Sequence, residues 1–244
     1  MRVHLVCKDI WCLRWRSYLS CSYVIRTAKG IAVIDAGMDT NGDSIINFIR
    51  SQRRPSEQVT GVYLTHWHSD HAAGAAAIAM QLDCPVFCGR NEAPKVSHSA
   101  RQRFLGKLIP PLGPLVLLRG LIDDRLHPAV AEVSPLDDGV SISGITAIAT
   151  PGHTAGHFSY HAPELGVLFA GDSLAIVQGK LSYMSRKVTP DRRSAIESMK
   201  KLCSISPGIV CAGHRFWKTT SLIEWGAFSR HLDTSKWPAF GRLG

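Results

Sequence analysis

Residues 65–74 read THWHSDHAAG and follow directly on the apolar run 59–64. His66, His68, Asp70 and His71 therefore fall within six positions, at the end of a segment that reads as a buried strand. Imidazoles and a carboxylate in such a place are costly unless they are paired or share a cation. The fold must end a strand in a loop rich in donors, and it must give those donors something to bind.

Three further donors stand in similar surroundings. His153 lies in TPGHTAGH, Asp172 in FAGDS and His214 in CAGH. Each follows an apolar, strand-like run, and each is preceded by a glycine (Gly152, Gly171, Gly213), as expected where the backbone must turn tightly.

The rest of the chain alternates strand and helix signals. Residues 22–27 and 31–35 read as strands around the turn Ala28-Lys29-Gly30, 43–52 as a helix, and 59–64 as a buried strand. Residues 71–82 are rich in alanine and methionine, which favour helix, and 84–88 are again strand-like. Residues 140–150 form a strand pair or one bent strand. Residues 158–161 and 167–170 read as a hairpin with 163–166 in its turn. Residues 191–203 read as a helix, 209–212 as a strand and 221–231 as a last helix. This order predicts an α/β fold with its chemistry where strands end and loops begin.

A length of 244 residues fits one domain over 1–244. It carries an apolar insertion at about 101–130, containing IPPLGPLVLLRGLI and broken by Pro110, Pro111 and Pro114. Two readings are open for it: an interface or core-covering segment, the interface making a homodimer, or an apolar lid or wall over the active site.

The formal charge is +9, but the basic residues are dispersed in short groups such as Arg53-Arg54, Arg192-Arg193 and Lys200-Lys201. That pattern argues against nucleic acid as the physiological partner and for a small-molecule substrate. The seven cysteines are odd in number and mostly in strand-like segments, which suits free thiols in a reducing cytoplasm. Cys84 and Cys88 read as buried strand residues rather than a metal pair. The N-terminus, interrupted by Lys8, Asp9, Arg14 and Arg16, reads as no signal peptide, and no run approaches a membrane span.

HWHSDH, then TPGHTAGH, GDS and a late GH, resembles the metallo-β-lactamase-fold hydrolases, in the family's order from about Tyr23 to His214. The resemblance implies a four-layer αβ/βα sandwich and two Zn2+ per chain. It assigns His66, His68 and His153 to one metal, Asp70, His71 and His214 to the other, and Asp172 as the bridge. It also matches Asp35, in IDAG, to a carboxylate that orients a ligand, and His157 to a hydrogen-bonding position. His4, His98, His127, His161 and His231 fit no motif and read as surface or satisfied histidines.

The chemistry agrees. Imidazole and carboxylate donors suit zinc, with iron or manganese open by ligand type. Metals ~3.5–4 Å apart serve hydrolysis, and zinc lowers the pKa of water from ~15.7 to about 7, giving a metal-bound hydroxide. Asp70 would be the catalytic side chain, orienting that nucleophile and passing a proton to the leaving group. His68 argues against the diiron oxygen-reducing branch, which typically has glutamate there.

Departures from the pattern sort the branches. Class B β-lactamases carry Cys or Ser at the position of Asp172. Glyoxalase II shares the ligand set but continues into a helical domain, whereas thirty residues follow His214. Ribonuclease Z shares HxHxDH, but no HxT-type motif or exosite arm is seen. Small N-acyl homoserine lactonases match best in length, ligands and insertion, although Ala175 stands where they have tyrosine and Arg215 where glycine is common. Tyr183 reads as a packed tyrosine rather than a substitute, and Arg215 as a candidate substrate contact. The expected function is therefore a dinuclear zinc hydrolase of a lactone or other carboxylic ester. A glyoxalase II-like thioesterase is the alternative, ahead of a nucleic-acid phosphodiesterase.

Overall fold

The computed structural model describes residues 1–16, 19–98, 128–215 and 217–234. The chain divides into two compact units, Met1–Cys88 with Glu92–Pro135, and Gly89–Asn91 with Leu136–Gly244.

The first unit carries a seven-stranded sheet in chain order: β1 (Arg2–Cys7), β2 (Ile10–Arg14), β3 (Cys21–Thr27), β4 (Gly30–Ile34), β5 (Val59–Leu64), β6 (Val86–Gly89) and β7 (Val133–Leu136). β1 to β4 run antiparallel, with two-residue connections between β1 and β2 and between β3 and β4. β4, β5 and β6 are parallel, and each parallel step needs a crossover. Helix α1 (Asp43–Gln52) supplies the first, and α2 (Ser69–Ala72) with α3 (Ala75–Leu82) the second. The one-turn α4 (Ala93–Val96) follows β6. α1 buries Ile45, Ile46 and Ile49, an i, i+1, i+4 stripe, in a core with Val33, Val62, Leu64 and Ile78. Each of these fully buried side chains contributes roughly 1.5–3 kcal/mol.

The helix read over 71–82 is two helices. The His71 carbonyl, which a continuous helix would give to Ala75, instead accepts the Ala36 N–H at 2.5 Å. Gly74 sits at the break, where a Cβ would lie 2.5 Å from the Ala36 carbonyl oxygen. A tertiary hydrogen bond thus overrides helix propensity. β1 and β2, unread in the sequence, are edge and near-edge strands of mixed polarity.

The second unit carries β8 (Ser141–Ile142), β9 (Ile145–Ala149), β10 (Phe158–Ala162), β11 (Val167–Gly171), a separate hairpin of β12 (Ala175–Val177) and β13 (Lys180–Ser182), then β14 (Ile209–Ala212) and β15 (Trp217–Thr219). Its six-stranded sheet runs β15-β14-β11-β10-β9-β8. The pair read over 140–150 is a hairpin whose two turn residues, Ser143 and Gly144, have φ of 54° and 81°, as a tight two-residue turn requires. β11 and β14 are parallel, and α5 (Arg192–Ile205) joins them. Asp191 caps it by accepting the Ser194 N–H at 3.0 Å. α5 buries Ala195, Ser198, Met199, Leu202 and Cys203 at helical spacing. α6 (Leu222–Thr234) adds Trp225, Phe228 and Leu232 to the same core.

Each unit therefore has helices on a sheet that is mixed, which is the α/β class read from the sequence. The apolar insertion falls almost wholly on residues 99–127, outside the described residues. At its edge Val130 is buried and donates its N–H to the Val96 carbonyl at 3.1 Å.

Candidate metal centre

In the first unit β5 ends at Leu64, the chain bends at Thr65 and Trp67, and His68, at φ −59° and ψ 144°, leads into α2. His66 and His68 come together there, with His66 Nε2 3.0 Å from His68 Nδ1. The helical turn then brings Asp70 and His71 round, with Asp70 Oδ2 3.5 Å from His71 Nε2. His66 and His71 are fully buried.

Their outer nitrogens are held by protein. Asp35 follows β4 with φ of 57°, a left-handed conformation that Asp tolerates better than most residues. Its carboxylate accepts the Thr65 N–H at 2.8 Å, the Thr65 hydroxyl at 2.9 Å and His71 Nδ1–H at 2.8 Å. Thr65 has one hydroxyl proton and gives it to Asp35, so it accepts from His66 Nδ1 at 3.0 Å. Both histidines therefore keep a lone pair on Nε2.

In the second unit His153, Asp172 and His214 follow β9, β11 and β14. Asp172 Oδ2 lies 3.5 Å from His153 Nε2 and 3.3 Å from His214 Nε2. His153 Nδ1–H donates to the Val188 carbonyl at 2.5 Å, again leaving Nε2 as the donor atom. Gly171 has φ of 53°, which glycine adopts without strain. Gly213 packs so closely that a Cβ there would overlap Asp172 Oδ1.

These spacings test whether a metal suits each donor set. A tetrahedral ion with bonds of about 2.0–2.1 Å holds neighbouring donor atoms roughly 3.3 Å apart. The four pairs lie at 3.0, 3.5, 3.5 and 3.3 Å. Three of the four exceed ordinary hydrogen-bond lengths. Oxygen and nitrogen donors in this arrangement suit a divalent cation.

The remaining sequence candidates separate. His157 is buried and bonds to Thr150 Oγ1 and to the main-chain N–H of Asp172, as read. Tyr183 is packed in the second core, edge-on to Phe228, also as read. Arg215 is half-buried with φ of 69°, a region that favours glycine. Burial lowers the pKa of His161, while His98 and His231 are exposed. His127 lies outside the described residues.

Cys88 is buried in β6, its pKa pushed up to about 12 by burial and then by the charge of Glu92. Cys84 lies before that strand rather than in it, and burial raises it to about 11. All seven cysteines are free thiols.

Two supports escaped the sequence reading. Glu92, fully buried, accepts the Trp67 N–H between the two loop histidines at 2.9 Å. Thr150 and Ser159 form a buried hydroxyl chain beside His157. Glu92 and Ser159 stand in no motif, and Thr150 opens TPGHTAGH without being a metal donor. The only trace in sequence is polar residues in or beside apolar strands.

Residues 19–214 match the model of the metallo-beta-lactamase superfamily. A probable metallo-hydrolase of Bacillus subtilis, YflN, is 31% identical over 199 residues, covering 75% of this chain and 74% of that protein. A hydroxyacylglutathione hydrolase of Cereibacter sphaeroides is 30% identical over 161 residues, 65% of this chain and 49% of that protein. The chain thus spans about half the length of that relative. Among solved structures, an archaeal metallo-beta-lactamase superfamily protein from Sulfolobus tokodaii, ST1585, matches with a TM-score of 0.68 at 20% identity, over 98% of this chain and 91% of that one. TTHA1623, solved in a di-iron-bound form, matches with a TM-score of 0.65 at 21% identity, over 86% of this chain and 95% of that one. The fold is the one the motifs led us to expect, and the family model covers well over half of the sequence. The chain belongs to the metallo-β-lactamase superfamily.

Proposed function

We propose that this metal-dependent hydrolase uses two metal ions, zinc in the first instance, to cleave a lactone or other carboxylic ester of a small, partly apolar substrate. In this reading His66, His68 and His153 hold one ion and Asp70, His71 and His214 the other, with Asp172 as the bridge. The chain then acts as one domain. The observation that carries the reading is the spacing of the donor pairs within each unit, 3.0 Å between two ring nitrogens and 3.3–3.5 Å between ring nitrogens and carboxylate oxygens.

When bound, the ions supply Lewis acidity and a water acidic enough to ionise near neutral pH. The chain's own residues do the rest. Thr65, Asp35 and the Val188 carbonyl keep protons on Nδ1 of His66, His71 and His153, so that each presents a lone pair at Nε2. Asp70, buried beside His71, orients the attacking water and passes a proton to the leaving group. The sequence has no GxSxG elbow, which fits attack by water rather than by a side chain. The leucine-rich run at 105–122 supports an apolar substrate group. Seven free thiols support a reducing, cytoplasmic setting. No helix among the described residues is long and apolar enough to cross a membrane.

A second reading, thioester hydrolysis, is favoured by the similarity to the Cereibacter sphaeroides hydroxyacylglutathione hydrolase. Elemental analysis of protein purified without chelator, followed by lactone, thioester, β-lactam and phosphodiester substrates, tests both. Two metals per chain with lactone or ester turnover is the expected result. One metal per chain after zinc supplementation overturns the bridge. Thioester turnover without ester turnover selects the second reading, and cleavage of RNA or DNA alone sinks both.

A further inference from the structure

The role given to Asp172 leaves open what holds it. Asp172 donates its main-chain N–H to His157 Nε2 at 3.0 Å. A main-chain N–H only donates, so Nε2 carries a lone pair, and in a neutral ring the proton sits on Nδ1. Nδ1 lies 2.8 Å from Thr150 Oγ1. Thr150 accepts there, which leaves its one hydroxyl proton for Ser159 Oγ at 2.9 Å. Ser159 donates in turn to the Ala170 carbonyl at 3.0 Å.

Ala170 stands two residues before Asp172, so the chain of donors starts and ends on the same turn. Every link runs in one direction, from the Asp172 N–H through His157, Thr150 and Ser159 to the Ala170 oxygen. Ser173 Oγ adds a second proton to that oxygen at 2.7 Å. All of these residues are buried, where an unmet donor is expensive and aligned bonds reinforce one another. The turn needs such a clamp, because Gly171 at φ of 53° contributes no side-chain restraint of its own.

We propose that His157 is a positioning residue: a neutral imidazole held in its Nδ1–H form, closing a hydrogen-bonded ring with Thr150 and Ser159 that sets the direction of the Asp172 carboxylate. Its importance for metal binding rests on the reading of Asp172 as a ligand. Its protonation pattern does not.

Long-range 1H–15N spectra of the full-length protein labelled with 15N-histidine read the pattern directly, with His157→Gln identifying the signal. Nδ1 should be the protonated nitrogen and Nε2 the unprotonated one, with and without zinc. A proton on Nε2 would overturn the ring. Thr150→Val, alike in shape but lacking the hydroxyl, should keep the Nδ1–H form, which the Asp172 N–H still requires. Its Nδ1–H resonance should shift as it loses its acceptor, and an unchanged spectrum would remove Thr150 from the ring. In chelator competition, His157→Phe should bind zinc about 10–100-fold more weakly. His157→Gln, whose amide oxygen reaches the Nε2 position, should recover most of that loss. Equal affinities in wild type and His157→Phe, or equal losses in both variants, would overturn the positioning role. If His157→Phe does not fold, His157→Gln and Thr150→Val decide the matter. A wild-type chain that shows the Nδ1–H pattern yet takes up fewer than two metals would count against the bridging reading and leave the ring standing.

Discussion

Glu92 accepts the main-chain N–H of Trp67 through Oε2 at 2.9 Å. The two residues are 25 positions apart, and Trp67 is the residue between His66 and His68. The bond therefore pins the backbone from which both histidines project. Lys95 Nζ, 4.8 Å from the centre of the Trp67 ring, closes the same corner. Glu92 is fully buried and also begins α4, whose Lys95 and Val96 N–H groups donate to its carbonyl.

Replacing Glu92 by alanine should therefore cost stability, because a part-buried N–H loses its acceptor. The expected loss is about 1–3 kcal/mol, read as a lower urea midpoint at constant slope. Glu92→Gln, which still offers an oxygen, should lose less. An unchanged midpoint for the alanine variant would show that water replaces the carboxylate and that the loop does not depend on it.

Asp35 binds Thr65 and His71 together, and through Thr65 it reaches His66. Asparagine tolerates the left-handed backbone at this position, so Asp35→Asn should fold. It exchanges one acceptor oxygen for a donor, and zinc affinity should drop by roughly 10–100-fold. Chelator titration measures this, with circular dichroism as the control for folding. Wild-type affinity would mean that the ring orientations are set by packing alone.

Gly213→Ala should disturb Asp172, since the new methyl would overlap Oδ1 and lie 2.9 Å from the Gly171 carbonyl carbon. Overpacking of this kind costs about 1–3 kcal/mol, and metal content should fall with it. Gly208→Ala is the matched control: its nearest neighbour would be the Gly166 oxygen at 3.7 Å. That variant should stay within about 0.5 kcal/mol of wild type. Equal thermal midpoints for the two variants would remove the close-approach argument.

Acid stability should depend on Arg26. Burial pushes the Glu57 carboxyl upward, but the hydrogen bond from Arg26 at 2.5 Å and the Arg54 N–H outweigh it and hold the group below its ordinary value. A depressed carboxylate adds stability above its unfolded pKa of about 4.3 and loses it as pH falls through the folded value. Arg26→Gln should thus be less stable at neutral pH and show a shallower decline in urea midpoint below about pH 4.3. Parallel pH profiles would show that the pair, at 12% and 10% side-chain exposure, is largely screened.

Much of this protein was legible in one dimension. Helix α1 and strands β5 and β14 fall where periodicity put them, because apolar spacing reports directly which face is buried. The candidate ligands were legible for a related reason: donors at strand ends, each after a glycine or within a short HxHxDH run, are local patterns. Other features had to wait for the folded chain. The helix expected over 71–82 is split by a hydrogen bond from Ala36, a residue 35 positions before His71, which no helix propensity contains. β1 lies at the sheet edge with Val3 and Leu5 exposed, so its residues lack the clean alternation that a half-buried strand shows. The protons on His66, His71 and His153 are placed by Thr65, Asp35 and the Val188 carbonyl, and the Trp67 N–H is met by Glu92. Except for Thr65, those partners come from distant parts of the chain. Residue type and local spacing determine which atoms can bind a metal. Which nitrogen keeps its lone pair, and how firmly it is aimed, depends on hydrogen bonds that exist only once the chain has folded.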